Sequence, residues 1–257
     1  MGRGPREAWW RGDLTRSVPD HPSTAFGGPP PHPADGEAGS LSVVIPALNA
    51  AASLESCLAS VRDADEIIVA DGGSADGTAA LAERSGARLV RSERGRGVQL
   101  AAGAAAAGGD WLLFLHADTR LAPGWREAAE RHIERRPGKA ACFRFRLDAG
   151  EWQARLVEAG VALRVKLLGL PYGDQGLLVP KRLYDEVGGY RPLPLMEDVD
   201  LVRRVGRRRL ERLAVAAVTS PERWRRDGWL RRSGRNLLCL ALYGSGLSAE
   251  RVARLYG

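Results

Sequence analysis

Two apolar runs, each ending in an acidic loop, constrain this chain more than any other feature. Glu66-Ile67-Ile68-Val69-Ala70 runs into Asp71-Gly72-Gly73-Ser74-Ala75-Asp76-Gly77-Thr78, and Asp110-Trp111-Leu112-Leu113-Phe114-Leu115 runs into His116-Ala117-Asp118. Short continuous apolar runs separated by helical patterns fit buried strands of a parallel sheet. Open α/β sheets take their ligands outside the carboxyl ends of the strands. Both acidic loops therefore fall where a ligand would sit.

The rest of the chain extends this alternation. Residues 1–39 are rich in Pro and Gly and read as a disordered tail that includes Trp9 and Trp10. Residues 41–45 read as a strand that stops at Pro46, and Asn49 as the cap of a helix over 51–61. Strands are expected at 67–70, 87–90, 111–115, 140–147 and 177–179, and helices at 78–85, 98–107, 125–136 and 152–168. Residues 196–200 open a further helix. An Arg-dense stretch follows to Arg235, and 237–247 is a short apolar helix.

The formal net charge of +7 invites a nucleic-acid or anionic-surface reading. Nucleic acid is set aside. Arg greatly outnumbers Lys, as in a general composition bias, and the acidic loops repel phosphate unless a cation intervenes. Cys57, Cys142 and Cys239 lie far apart with no C-x-x-C pair, which fits a reducing compartment and offers no metal site. No apolar run reaches the roughly 18 residues of a membrane-spanning helix, and the opening residues lack a signal peptide's apolar core. A cytoplasmic protein is expected, with peripheral contact to the inner membrane face left open.

Ser42-Val43-Val44-Ile45-Pro46-Ala47-Leu48-Asn49, then Asp71-Gly72-Gly73-Ser74, then His116-Ala117-Asp118, then Glu197-Asp198 follow in order. In this order the chain resembles family 2 glycosyltransferases over residues 41–213. It is most similar to a bacterial subgroup with His-Ala-Asp in place of Asp-x-Asp and a Pro-Tyr-Gly-Asp-Gln-Gly motif, here Pro171 to Gly176. The resemblance implies a GT-A fold, an α/β domain whose mostly parallel central sheet is flanked by helices. It divides the chain into a tail (1–39), a transferase domain (40–219) and a basic helical segment (220–257). Within the domain, 40–120 would bind nucleotide and 121–219 the acceptor.

Asp71 stands at a strand end before two glycines that admit close backbone approach, so it can accept hydrogen bonds from a base or ribose. The resemblance gives it the uracil or guanine ring; the plain alternative is an Asx-turn that only shapes the loop. Pro46, Ala47 and Leu48 offer a base backbone and apolar contacts. The resemblance makes Asp118 the ligand of Mg2+ or Mn2+ across the donor diphosphate, with water and phosphate oxygens completing the shell. His116 stands where the family has its first acid. With Ala117 it is read as a nucleotide or ribose contact, against a buried histidine satisfied by backbone. Arg96 precedes a helix whose amides also favour anions and is the candidate phosphate ligand.

Asp198 is the candidate general base, because an inverting transfer needs one carboxylate to take the proton of the attacking hydroxyl. The alternative for Glu197 and Asp198 is a pair of acids that favour a helix N-terminus. Asp174, Gln175 and Glu197 are assigned to the sugar or acceptor, with a plain turn as rival for the first two. The expectation is an inverting, metal-dependent transferase. It would move a sugar from a nucleotide sugar, UDP-linked in the favoured reading, to an acceptor hydroxyl that could be lipid-linked.

Ala50 replaces the family's common Glu, which leaves the nucleotide open. Gln-x-x-Arg-Trp is echoed only by Arg223-Trp224, which favours single over processive transfer. A nucleotidyltransferase is disfavoured because 46–52 holds no basic Gly-rich loop; a non-catalytic binder of nucleotide sugar or membrane surface is the other rival. Donor sugar, acceptor identity and oligomeric state are not encoded.

Overall fold

The computed structural model describes residues 39–256. The expected tail, with Trp9 and Trp10, lies outside the described residues except for Gly39. The strands are β1 (Leu41–Ala47), β2 (Glu66–Asp71), β3 (Arg88–Arg91), β4 (Trp111–Phe114), β5 (Thr119–Leu121), β6 (Ala140–Leu147), β7 (Leu177–Pro180) and β8 (Leu210–Thr219). They form one sheet in the order β3-β2-β1-β4-β7-β6-β8-β5. Around it lie α1 (Ala51–Ser60), α2 (Thr78–Arg84), α3 (Arg96–Ala106), α4 (Trp125–Arg135), α5 (Trp152–Leu168), α6 (Lys181–Glu186) and α7 (Glu197–Val205). Three C-terminal helices follow: α8 (Glu222–Asp227), α9 (Trp229–Gly244) and α10 (Ala249–Tyr256).

Alternating side chains turn each apolar run into two cores. Val43, Ile45, Val69 and Leu113 pack on one face, against Leu54 and Cys57 of α1 and Trp125 and Ile133 of α4. Val44, Ile68, Leu112 and Phe114 pack on the other, against Leu100 of α3 and Val199 and Leu201 of α7. Helix α3 presses close to the sheet because Gly103 has no side chain: a Cβ there would lie 2.4 Å from Val44 Cγ1.

Strands β1 to β4 pair in parallel, with β2 and β3 on one side of β1 and β4 on the other. This reversal of strand order opens a crevice at the carboxyl ends of β1 and β4. The second half of the sheet is mixed: β7 is antiparallel to β4 and β6, while β8 is parallel to β6 and antiparallel to β5.

Several local expectations change. Strand β1 continues through Pro46, which aligns with Ala70. Pairing with β4 ends at Val44, so the ring nitrogen falls where no ladder bond is required. Asn49 does not cap α1. It adopts φ 50°, and its Oδ1 accepts the Ala75 N–H. The α1 amides are instead met from the α2 loop, Ala50 N–H by Thr78 and Ala51 N–H by Asp76. Strand β8 was hidden in the Arg-dense stretch, and the helix expected over 237–247 is the second half of α9, which starts earlier, at Trp229, and ends at Gly244.

Candidate active site

The pairing of β5 with β8 brings the C-terminal region to the acidic loop after β4. Thr119 aligns with Thr219, and their hydroxyls lie 2.9 Å apart. The Ser220 N–H then donates to the Asp118 carbonyl at 3.1 Å. Helix α8 begins just beyond, and Arg223 Nη2 lies 3.4 Å from Asp118 Oδ2.

Arg96, the first residue of α3, faces this pair from the other side. Its Nη1 is 3.0 Å from His116 Nε2, and its Nε is 2.5 Å from Glu197 Oε1. Glu197 and Asp198 occupy the first turn of α7, entered through Met196 with a left-handed φ of 65°. Asp198 Oδ2 accepts the Gly173 N–H at 3.0 Å and lies 4.0 Å from His116 Nε2. Its Oδ1 accepts the Tyr190 O–H at 3.2 Å. Gly173 is confined to glycine, since a Cβ would stand 2.3 Å from His116 Nε2 and 2.8 Å from Asp198 Oδ2. The third acid of the turn, Asp200, is instead bound to Arg204 at 2.5 Å and serves the fold.

Burial lowers the His116 pKa to about 4, and neighbouring Arg96 pushes the same way. The ring is neutral, and with Arg96 donating to Nε2 the proton sits on Nδ1. Burial raises Asp174 to about 6. Burial also raises Glu197, outweighing the opposing pull of Arg96. Asp118 goes the other way: burial would raise it, but Arg223, His116 and Arg96 together hold it low. Asp174 Oδ1, Glu197 Oε1 and Tyr172 Oη are buried without a hydrogen-bond partner. The Arg96 contact gives Glu197 Oε1 a counter-charge but not hydrogen-bond geometry. Such orphaned groups are uncommon and costly in folded proteins.

Comparison with known proteins shows the family. The family model described as "Glycosyl transferase family 2" matches residues 42–191. The chain belongs to that family. It is 39% identical over 92 residues to glucosyl-3-phosphoglycerate synthase of Mycobacterium tuberculosis, covering 30% of this chain and 28% of that protein. It is 46% identical over 71 residues to a TPR repeat-containing protein of Synechococcus elongatus, covering 26% of this chain and 18% of that protein. The matches thus span under a third of these curated relatives. The M. tuberculosis synthase solved with Mn2+, UDP and phosphoglyceric acid has TM-score 0.54 and 23% identity, over 81% of this chain and 79% of that one, which is a likeness of fold.

In this family 2 chain the structure brings Arg96, His116, Asp118, Asp174, Glu197 and Asp198 to one end of the sheet. It does not leave Asp71 free among them. Both Asp71 carboxylate oxygens accept the Ser74 N–H, at 3.1 and 3.2 Å, and the Ser74 hydroxyl also donates to Oδ1. These bonds, to a residue three positions on, shape the loop, and Oδ2 keeps a further lone pair. Gln175 likewise braces its own loop, donating to the Phe143 carbonyl at 3.2 Å and accepting from Arg164 at 3.3 Å. Pro46 and Leu48 are half-buried and Ala47 and Ala117 buried, at the ends of β1 and β4.

Sequence reasoning missed Tyr190, which orients Asp198. It also missed Gln99, whose Nε2 ties the Ala47 and Ala70 carbonyls together at 2.6 and 2.9 Å. Neither has a sequence signal, because each acts through a tertiary contact.

Proposed function

We propose that this chain transfers a sugar from a nucleoside diphosphate sugar to an acceptor hydroxyl, with inversion and with Asp198 as general base. The observation that carries this reading is the convergence of Asp198, Arg96 and Asp118 on the crevice beside the ends of β1 and β4. Asp198 is aimed by the Gly173 N–H and the Tyr190 O–H, and each carboxylate oxygen keeps a second lone pair for the acceptor's proton. Family membership supports sugar transfer; the fold alone would not fix the chemistry.

The base of the donor would rest against Pro46, Ala47 and Leu48, with the Asp71 loop beside it. Arg96 and Arg223 would face the diphosphate, where guanidinium groups suit phosphate oxygens. Glu197 positions Arg96, and Asp174, largely protonated below about pH 6, can donate to a sugar or acceptor hydroxyl.

Among the described residues no three or more Asp, Glu, His or Cys groups form a self-contained metal cage. Asp118 is met by Arg223, a half-exposed partner at 3.4 Å that can exchange. The donor set therefore fits Mg2+ or Mn2+ held by Asp118 together with water and diphosphate oxygens. Such a cation would stabilise the leaving diphosphate as a Lewis acid. UDP as the nucleotide is supported by the M. tuberculosis synthase, solved with Mn2+ and UDP.

The test is nucleoside diphosphate release from a panel of nucleotide sugars and hydroxyl acceptors. Asp198→Asn is expected to abolish release while leaving nucleotide affinity near that of the wild type. Transfer by Asp198→Asn at close to the wild-type rate would overturn the assignment.

A further inference from the structure

Among the described residues, the large exposed hydrophobics all lie on α5, α9 and α10. On α5, Trp152, Leu156, Leu163 and Leu167 are 67%, 58%, 56% and 56% exposed. On α9, Leu230 and Leu237 are 83% and 60% exposed. The spacing puts each set on one side of its helix. That side of α5 is opposite the buried Ala154, Glu158 and Val165, and that of α9 is opposite Arg232, Cys239 and Leu240. The two helices pack against one another, with Trp229 joining Val157 and Val161 around the small core of Phe145, Leu147, Ala154 and Trp224. Single exposed leucines need no explanation, but exposed apolar sides on two helices that pack together point to an interaction surface.

The charge on these helices selects the partner. Residues Trp229–Gly244 carry no acid; Arg231 is exposed beside the apolar side, whereas Arg232 is buried opposite it and is bound, with the half-buried Arg235, to Asp227 just before the helix. Residues Trp152–Leu168 carry Arg155, Arg164 and Lys166 against Glu158, and Glu158 is already paired with Arg146 and Arg155. A second copy docking through this face would set like charges against each other. An anionic bilayer would complement both features, taking the apolar side chains into the boundary between headgroups and acyl chains and the cations onto phosphates. No described helix is long and apolar enough to cross a membrane, so the association is with the surface.

We propose that α5 and α9 form an interfacial docking surface for anionic phospholipid bilayers. Helix α9 continues from α8, whose Arg223 meets Asp118, so docking would hold the candidate active site near the bilayer. The proposal goes beyond the transfer reaction and does not depend on it.

The experiment is co-sedimentation of the full chain with vesicles of phosphatidylcholine, with or without phosphatidylglycerol. Binding is expected to require phosphatidylglycerol and to weaken as salt screens the surface. Leu156→Asp together with Leu237→Asp changes two exposed positions and should keep the melting temperature while lowering the partition coefficient about tenfold or more. Equal binding by this double variant, or equal binding to neutral vesicles, would overturn the proposal. No sedimentation with either lipid would assign the face to residues 1–38 or to another protein. A concentration-dependent dimer lost in the variant, without vesicle binding, would assign it to a second copy. Each of those results also overturns it.

Discussion

The acidic loop after β2 and the acidic cluster around Asp118 look alike in sequence and differ in what their carboxylates do. In the first, Asp71 is bound to Ser74. Asp76 accepts the Thr78 N–H at 2.9 Å and the Ala51 N–H at 3.1 Å. These bonds hold the Asp76 pKa low against a burial effect that would raise it. In the second, Asp118, Asp174, Glu197 and Asp198 crowd together, with Arg96 and Arg223 as counter-charges and two carboxylate oxygens lacking hydrogen bonds. An acid at a strand end is thus by itself an ambiguous guide to function. A buried acid that its own fold leaves incompletely satisfied is a better one.

Removing the charge that holds the second cluster together should have the largest effect. Arg96→Met leaves Glu197 buried beside Asp198 without its partner and should cost about 3–5 kcal/mol in denaturant unfolding. Adding Glu197→Gln should recover part of that loss; no recovery would mean that Arg96 acts through packing. Gly173→Ala comes next. Its Cβ would press on His116 and Asp198, with an expected cost of about 1–3 kcal/mol and loss of transfer. A fully active Gly173→Ala would break the claim that this turn fixes the base.

A pH effect follows from Asp174. Its folded pKa, about 6, lies above that of an unfolded carboxylate. Its contribution to stability is therefore complete below about pH 4 and is lost as pH rises through about 6. Between pH 4 and 7 the wild type should lose about 2 kcal/mol relative to Asp174→Asn, as read from unfolding curves across pH. Parallel curves would contradict the assignment. The smallest change is expected in the first loop. Asp71→Asn keeps an acceptor for Ser74 and should shift stability by about 1 kcal/mol or less, with transfer retained.

The parallel half of the fold was legible because β1, β2 and β4 are continuous apolar runs, and their observed boundaries fall close to the expected ones. Strand β8 was not, because Arg212 and Glu211 interrupt its apolar pattern and full burial begins only at Ala216. Asn49 misled as a cap because its side chain closes a loop instead, which residue type alone does not reveal. At the candidate site, the order of His116, Asp118 and Asp198 along the chain was readable. Tyr190 and Gln99 were not, since their roles arise from contacts made by distant segments. Asp71 was ambiguous from the start, because ligand contact and Asx-turn call for the same residue at the same place.

The most direct test of the account is calorimetric titration of UDP in the presence of Mn2+ into the wild type, Asp118→Ala and Asp71→Ala. The account predicts metal-dependent binding that Asp118→Ala loses and Asp71→Ala largely keeps. Loss in Asp71→Ala with full retention in Asp118→Ala would contradict it, and would move the nucleotide site to the loop after β2.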